Sequence, residues 1–514
     1  RGERSTPAIE ASGAMDFDDL DDAEEQQAEE VAAERAAAGL PEEGPERPLP
    51  QWRRVDQPQI EFTEISKLAA QSLPGDYYGM EFPYDKDGIL RMGAQWLTKA
   101  FHKTGVLPED NAVTKINSVR EFVGGGAGLK CIIKVEYKED KPYLHKELFG
   151  KLPHKPGGSD RFYVSCMWNH DRPETIFNIW LEKYVPFRVP KFYFGDICAQ
   201  TTNYILITES LPWSPKGTKE YSPGDIEPAY DKYMDWELPD GGPMYYLACC
   251  KALGKMAGYH KTGRLHPQVN EMFPMPDPVP QIPPGCPPVG PDDYKMNSAK
   301  ADQLIRFLTE TASAVMPEEV KDKAWLETWK AELLHVMDYG IEIQCYCMGA
   351  GTSSPNNYVS LTHNNLQIDN AFFFRDASND LKVGLLDWGV LACGPIASSC
   401  QGSISGAQVE VLLGHRDAFL KAFAESYEEN GGPRVDTTRM KTMSNLLMMQ
   451  WACGIISNVT QVLKFTKAKE WEDVKDWMDP KLIDRFQVRA HCTQFKHALQ
   501  LWRKWDLHKE FEKW

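Results

Sequence analysis

The stretch that most restricts what this 514-residue chain can fold into runs Leu361-Thr362-His363-Asn364-Asn365-Leu366-Gln367-Ile368-Asp369-Asn370. It continues through the apolar run Ala371 to Phe374, a polar turn, and Val383-Gly384-Leu385-Leu386-Asp387-Trp388. The two apolar runs have strand character and Arg375-Asp376-Ala377-Ser378-Asn379-Asp380 has turn composition, so the segment predicts a β-hairpin. Folded about that turn, the hairpin brings Asn370 and Asp387 together at its open end. Two oxygen-bearing side chains there, with His363 and Asn365 on the loop just before, can hold a magnesium ion and the phosphates it carries.

Phosphoryl transfer of the kinase type needs a catalytic-loop Asp, an Asn five residues later for metal, and a second metal-binding Asp after the next strand pair. The spacing is present, with Asn365 where the first Asp stands. This pattern resembles the aminoglycoside phosphotransferase and choline kinase-like superfamily, most closely its ecdysteroid kinase-like (CHK kinase-like) branch. The loop of that branch runs His, Gly or Asn, Asp, four residues, Asn, then a strand and Asp-Trp. Here His363, Asn364, Asn370, Asp387 and Trp388 fit, and Asn365 departs. The resemblance implies an α+β, protein-kinase-like two-lobed fold, a small antiparallel β lobe and a large helical lobe with ATP between them. It implies Mg2+ on Asn370 and Asp387, with His363 and Asn365 at the catalytic position.

Upstream features follow in the order the resemblance requires, over roughly Ile89 to Asn430. Ala94 to Phe101 has helical spacing and stops at Gly105. Val119 to Val123, the cluster Gly124-Gly125-Gly126-Ala127-Gly128, and Leu129 to Tyr137 read as strand, glycines, strand. Backbone amides approach an anion closely only where side chains are absent, so Gly124, Gly125, Gly126 and Gly128 are candidates to cover a nucleotide's phosphates. Standing alone, such a cluster is more often a plain hairpin turn. A third strand, Tyr143 to Leu152, carries Lys146 and Lys151; the resemblance favours Lys151 as the phosphate-holding lysine. It also favours Glu174 on the next helix as its partner, with Glu182 in reserve. Val189 to Phe194 and Tyr204 to Glu209 read as the last small-lobe strands, with Glu209 at the hinge where an adenine would lie. Tyr246 to His260 reads as a large-lobe helix, and His260 as a packed helix-end residue.

Asn365 limits what the resemblance can carry. In such enzymes an Asp there accepts or orients the substrate hydroxyl's proton; an amide is no anion at neutral pH and its NH2 end is a donor. Asp369 precedes Asn370 and is expected to point elsewhere. A second departure lies after Gly394-Pro395, where relatives carry an Asp that helps fix the loop and this chain has Ser398 and Ser399. Three functions stay open: a pseudokinase serving as scaffold or subunit of a larger assembly, an active ATP-dependent kinase for a small hydroxylated substrate, and a non-catalytic binding protein using the same cleft.

The remaining sequence sets boundaries. Residues 1–50 form an acidic arm, Asp16 to Glu30 at its centre, and a linker; 51–88 is an extension; 89–211 is the small lobe. Residues 212–430 are the large lobe, with a proline-rich insertion at 264–300, and 431–514 is a helical end carrying Trp471, Trp477, Trp502, Trp505 and Trp514. The acidic arm, the insertion and the Trp-rich end are candidate contacts to other protein subunits. A net charge of −17 argues against nucleic acid as a partner. No apolar run reaches the roughly 20 residues of a membrane span. Twelve scattered cysteines without a Cys-x-x-Cys pair favour an intracellular, reducing compartment, cytoplasm or organelle interior. Arg1 in place of Met fits a removed targeting peptide as well as a shortened chain.

Overall fold

Alternation of buried and exposed residues defines the small lobe. Cys131, Ile133, Val135 and Tyr137 of β2 (Leu129–Tyr137) are buried, whereas Lys134 and Glu136 between the last three are exposed. With β1 (Val113–Phe122), β3 (Glu147–Leu152), β4 (Phe192–Cys198) and β5 (Asn203–Glu209) it forms a five-stranded antiparallel sheet in the order β1-β2-β3-β5-β4. The computed structural model describes residues 44–122, 128–156, 162–163, 165–166, 172–218, 220–276 and 290–514. The acidic arm, Gly124, Gly125, Gly126 and the proline-dense centre of the insertion lie outside the described residues.

Helix α1 (Lys86–Lys103) starts where the Asp85 carboxylate accepts the Gly88 N–H at 2.6 Å and packs on β1 and β4. It is followed by Gly105 at φ +72°, where a Cβ would lie 2.4 Å from Pro48 Cδ. Strand β3 begins at Glu147, later than the expected Tyr143, because the Tyr193 hydroxyl takes the His145 N–H at 2.6 Å and draws the preceding residues out of the ladder. Helix α2 (Arg172–Ile176) carries Glu174 and runs on into a π-helical turn, Phe177–Leu181.

The N-terminal extension, which shows no motif, is a strap over this lobe. Arg47 pairs with Glu182 at 2.6 Å and lies over the Phe192 ring. The Trp180 indole N–H donates to the Pro50 carbonyl at 3.0 Å, and Trp52 meets Trp180 edge-on. Farther along, the Asp196 carboxylate of β4 accepts the N–H groups of Tyr77 and Tyr78 at 3.0 and 2.9 Å.

The large lobe is built on α3 (Pro243–Lys261), α4 (Pro291–Arg306), α5 (Lys323–Met337), α6 (Ile396–Ile404), α7 (Val409–Glu429), α8 (Thr437–Ile455), α9 (Phe486–Lys504) and α10 (Leu507–Lys513). Two short antiparallel pairs join them: β6 (Val359–Thr362) with β9 (Ala392–Pro395), and β7 (Ala371–Arg375) with β8 (Leu381–Leu385). The result is the expected two-lobed α+β architecture of the kinase type. A continuous apolar core runs from the sheet through the C-terminal helices. Trp471 and Trp502 are buried in it and Trp477, Trp505 and Trp514 pack against it, so the Trp-rich end builds the lobe's interior. Thr437–Phe465 is long and apolar enough, by composition, to cross a bilayer, a feature that a scan for unbroken apolar runs misses. It is interrupted by a 3-10 turn at Ile456–Asn458 and packs on α5 and α9, with 44% of its most apolar window buried.

Candidate active site

The hairpin forms as its pattern predicts. Ala371 pairs with Leu385 and Arg375 with Leu381, and the Asp376 carboxylate closes the turn by accepting the Ser378 and Asp380 N–H groups, both at 2.9 Å. At the open end the Leu386 N–H donates to the Asn370 carbonyl at 2.8 Å, which sets Asn370 beside the chain entering Asp387. Asp387 sits at φ +61°, the left-handed region that Asp and Asn tolerate better than other side chains. That backbone turn aims its carboxylate at the small lobe.

There it meets Lys151, whose ammonium lies 3.3 Å from Asp387 Oδ1 and also bonds the Glu174 carboxylate. The Lys151 and Glu174 side chains are 3% and 9% exposed, so that pairing acts with little water around it, while the Asp387 side chain, 44% exposed, stands partly in solvent. Lys151 beside Asp387 holds that carboxyl below the ordinary carboxylate range, with smaller help from His363 and Lys130. The alternatives are used elsewhere: Lys146 pairs with Asp140 on the surface at 2.6 Å, and Glu182 is held by Arg47.

His363 is fully buried and acts as a brace. Its Nε2–H donates to the Leu386 carbonyl at 2.7 Å and its Nδ1 faces the Asn365 N–H at 3.4 Å, while burial pushes its pKa down. Asn364, at φ +58°, accepts from the Thr362 hydroxyl at 2.7 Å and donates to the Val390 carbonyl at 3.1 Å. These bonds tie the loop to the segment before β9, whereas the Ser399 hydroxyl, buried nearby in sequence after Gly394-Pro395, has no partner among the described residues. The Asn370 amide donates to the Asn365 carbonyl at 2.8 Å. The Asn365 side chain itself is half-buried, with no hydrogen-bond partner among the described residues. Asp369 points away, as expected, to Lys232 at 3.1 Å.

Of the glycines, Gly128 is described, at φ +63°; a Cβ there would lie 2.2 Å from Tyr204 Oη and 2.5 Å from the Leu152 carbonyl. Gly128 is thus pressed onto the end of β3, and its N–H donates to His154 Nε2 at 3.0 Å. Glu209 is 3% exposed, with its carboxylate taken by Arg188 at 3.1 Å and the Lys191 N–H at 3.2 Å. Its side chain thus locks the hinge. Arg188 in turn lies over the Phe372 and Phe374 rings, and its carbonyl accepts the Leu385 N–H at 3.0 Å, joining the lobes.

Sequence reasoning passed over Phe149, two residues before Lys151 on the same strand face, and Lys130, opposite Lys151 in the β2–β3 register. The period of two from Lys151 was the signal for the first. The donor set suits a magnesium nucleotide: a lysine for phosphate, one carboxylate and one amide oxygen for a metal that keeps water and phosphate oxygens in its shell, and Gly128, where a Cβ would strike Tyr204 and Leu152. Among the described residues no three His, Cys, Asp or Glu side chains cluster as a metal site. A separate surface cavity of about 900 Å³ lies between α7 and the start of α8, lined by charges of both signs such as Asp417, Lys421, Arg434 and Lys441. It shares no residue with the Lys151 cluster.

No family model and no curated relative matches this chain. Solved structures similar to it include a type I macrolide 2'-phosphotransferase, at 12% identity and a TM-score of 0.35 over 74% of this chain and 92% of that one. An ethanolamine kinase of Plasmodium vivax gives 11% and 0.35 over 74% and 82%, and the choline kinase LicA of Streptococcus pneumoniae gives 12% and 0.35 over 74% and 94%. At that level of likeness none of their activities passes to this chain.

Proposed function

We propose that this protein is a kinase-like nucleotide binder whose proton-accepting Asp has been replaced by Asn365, a pseudokinase that serves as scaffold or subunit of a larger assembly. The observation that carries the reading is the buried Lys151 held by Glu174, with the partly exposed Asp387 carboxylate 3.3 Å from its ammonium. A kinase-type site uses that arrangement, one acid holding a lysine ready for the nucleotide's phosphates and a second acid for the metal that carries them. Bound magnesium would supply charge neutralisation on the phosphates, with Asn370 and Asp387 as its protein ligands. Lys151 would orient the phosphates, Glu174 would hold Lys151, and Phe149 would present its ring to the base.

Loss of a positioned base removes about 10² to 10⁴ in rate. The acidic run Asp16 to Glu30 and the proline-rich insertion are the segments that would reach partner subunits. A second reading, an active small-molecule hydroxyl kinase with a weakened base, is favoured by the intact bracing of the loop through His363, Asn364 and Asn370. Phosphoryl transfer depends mainly on positioning and charge, which that bracing preserves.

Melting of the native protein with and without Mg·ATP tests nucleotide binding; no shift at saturating ATP sinks the reading. ATP consumption over a panel of alcohols, native against Asn365→Asp, separates the two roles. The pseudokinase reading expects a background rate for the native protein and a rise for the variant. Brisk native turnover reverses it in favour of the enzyme.

A further inference from the structure

The strap grips the segment that carries Glu174 at both ends. Helix α2 has five residues and runs on through the π-helical turn into a 3-10 turn, Glu182–Tyr184. So short a helix does not hold itself in place, and π and 3-10 turns add little, so its position is set by what packs on it. In the cleft, Glu174 meets Lys151 and Phe177 stacks on Trp388. Before and after these two residues the strap takes hold. The Arg172 guanidinium donates to the Val55 carbonyl. The Trp180 indole N–H donates to the Pro50 carbonyl at 3.0 Å, and Trp52 and Tyr77 meet its ring edge-on, with centroids 5.1 and 4.7 Å away. Glu182 pairs with Arg47 at 2.6 Å while its other oxygen accepts the Phe192 N–H at 3.2 Å, and Lys183 lies 3.8 Å from Glu46. Residues 46–55 form no helix or strand of their own. The strap therefore docks through side chains and single carbonyls, the kind of segment that opens locally at low cost.

We propose that the strap, residues 46–55, is a positioning element for Lys151. Docked, it fixes the segment 172–184 so that Glu174 reaches Lys151; lifted, it lets Glu174 move off and frees the ammonium from that acid. The consequence for ligand binding rests on the nucleotide-binding reading above: Mg·ATP binds the strapped form better than the unstrapped one. By linkage the two events favour each other equally, and a coupling of this kind changes affinity by about tenfold.

Two measurements on the full chain test it: the rate at which acetic anhydride acylates Lys151, followed by peptide mass spectrometry without nucleotide, and calorimetric titration with Mg·ATP. The proteins are the native chain, Trp52→Ala, Trp52→Phe and Asp85→Ala, the last removing a helix cap elsewhere in the same lobe. Trp52→Leu takes the place of Trp52→Ala if that variant does not fold. The expected result is Lys151 acylated about tenfold faster and Mg·ATP bound about tenfold more weakly in Trp52→Ala, with Trp52→Phe and Asp85→Ala close to native in both. A native acylation rate in Trp52→Ala overturns the proposal whether or not ATP binds. An equal rise in Asp85→Ala also overturns it, as general loosening of the lobe, and so does faster acylation with undiminished Mg·ATP affinity. Faster acylation in Trp52→Ala alone, in a chain whose native form binds no Mg·ATP, removes the nucleotide-binding reading and leaves the strap's hold on Lys151 standing.

Discussion

Phe177 lies flat on Trp388, ring centroids 3.7 Å apart and planes 13° from parallel. Phe177 follows Glu174 by three residues, and Trp388 directly follows Asp387, so one stacked pair carries both acids that meet Lys151. Phe187 and His363 pack on the same indole, at 6.0 and 4.6 Å between centroids. The small-lobe helix and the large-lobe hairpin are thereby held as one unit across the cleft. Trp388→Ala is expected to lower stability by about 3–5 kcal/mol. Trp388→Phe, which keeps a ring in the stack, should lose clearly less. Urea denaturation gives the first quantity. If Lys151 depends on the stack for its two partners, Mg·ATP affinity should fall in the Ala variant and largely survive in the Phe variant.

Gly128 offers a second check, because its φ of +63° and its contact with Tyr204 and Leu152 both exclude a side chain. Gly128→Ala should destabilise by about 1–3 kcal/mol through backbone strain alone, and more where Tyr204 must move. Gly79 has a similar φ of +68° with open space around its missing Cβ. Gly79→Ala is therefore the control for strain without crowding. Thermal melts should show the larger loss at Gly128, and only that variant should weaken nucleotide binding. Equal losses at the two positions would mean that Gly128 is not pressed onto β3.

The strap yields a prediction about stability at a distance. Arg47 and Glu182 are paired at 2.6 Å with side chains 9% and 11% exposed. Removing one member of a buried pair strands the other charge, so Arg47→Ala should lose about 3–5 kcal/mol. Replacing both by alanine should lose less than the sum of the two single changes, and a double-mutant cycle measures the coupling. Additive losses would show that the ion pair contributes little and that the Trp52–Trp180 contact anchors the strap instead.

What could be read in advance was whatever rests on local pattern. The hairpin follows from alternation and loop spacing, Lys151 and Glu174 from the family resemblance of the residues around them, and the structure brings the lysine and its acid together beside Asp387. Glu209 was correctly placed at the end of β5, but its side chain is engaged by Arg188, a partner set by tertiary packing. The strap was not legible because residues 44–60 have neither period, and Arg47 meets Glu182 across 135 positions of chain. Lys130 needed the β2–β3 register, which a single sequence does not supply, whereas Phe149 lay within reach of the period of two from Lys151. The Trp-rich end offered surface and core equally, and the packing of Trp471 and Trp502 decided for core.

His260 ties the same architecture to pH. Its Nε2–H donates to Asn270 Oδ1 at 3.0 Å, and its Nδ1 accepts the Leu361 N–H at 3.2 Å, bracing β6 just ahead of the His363 loop. Burial holds its pKa down at about 4, against an ordinary 6.5. Between those values the unfolded chain binds the proton and the folded protein resists it. Its contribution is therefore complete above pH 6.5 and is lost as pH falls toward 4, by up to about 3 kcal/mol. Asp196 works with the opposite sign. Burial pushes its carboxyl up to about 6 from 3.8, so the folded protein keeps a proton that the unfolded chain has released, and stability is lost as pH rises through that interval. Melting temperatures followed from pH 6.5 down to 4 should therefore fall less steeply in His260→Asn than in the native protein. Asp196→Asn should make the fall steeper, since it removes the opposing group. Parallel profiles for all three proteins would mean that neither residue titrates out of register with the unfolded chain.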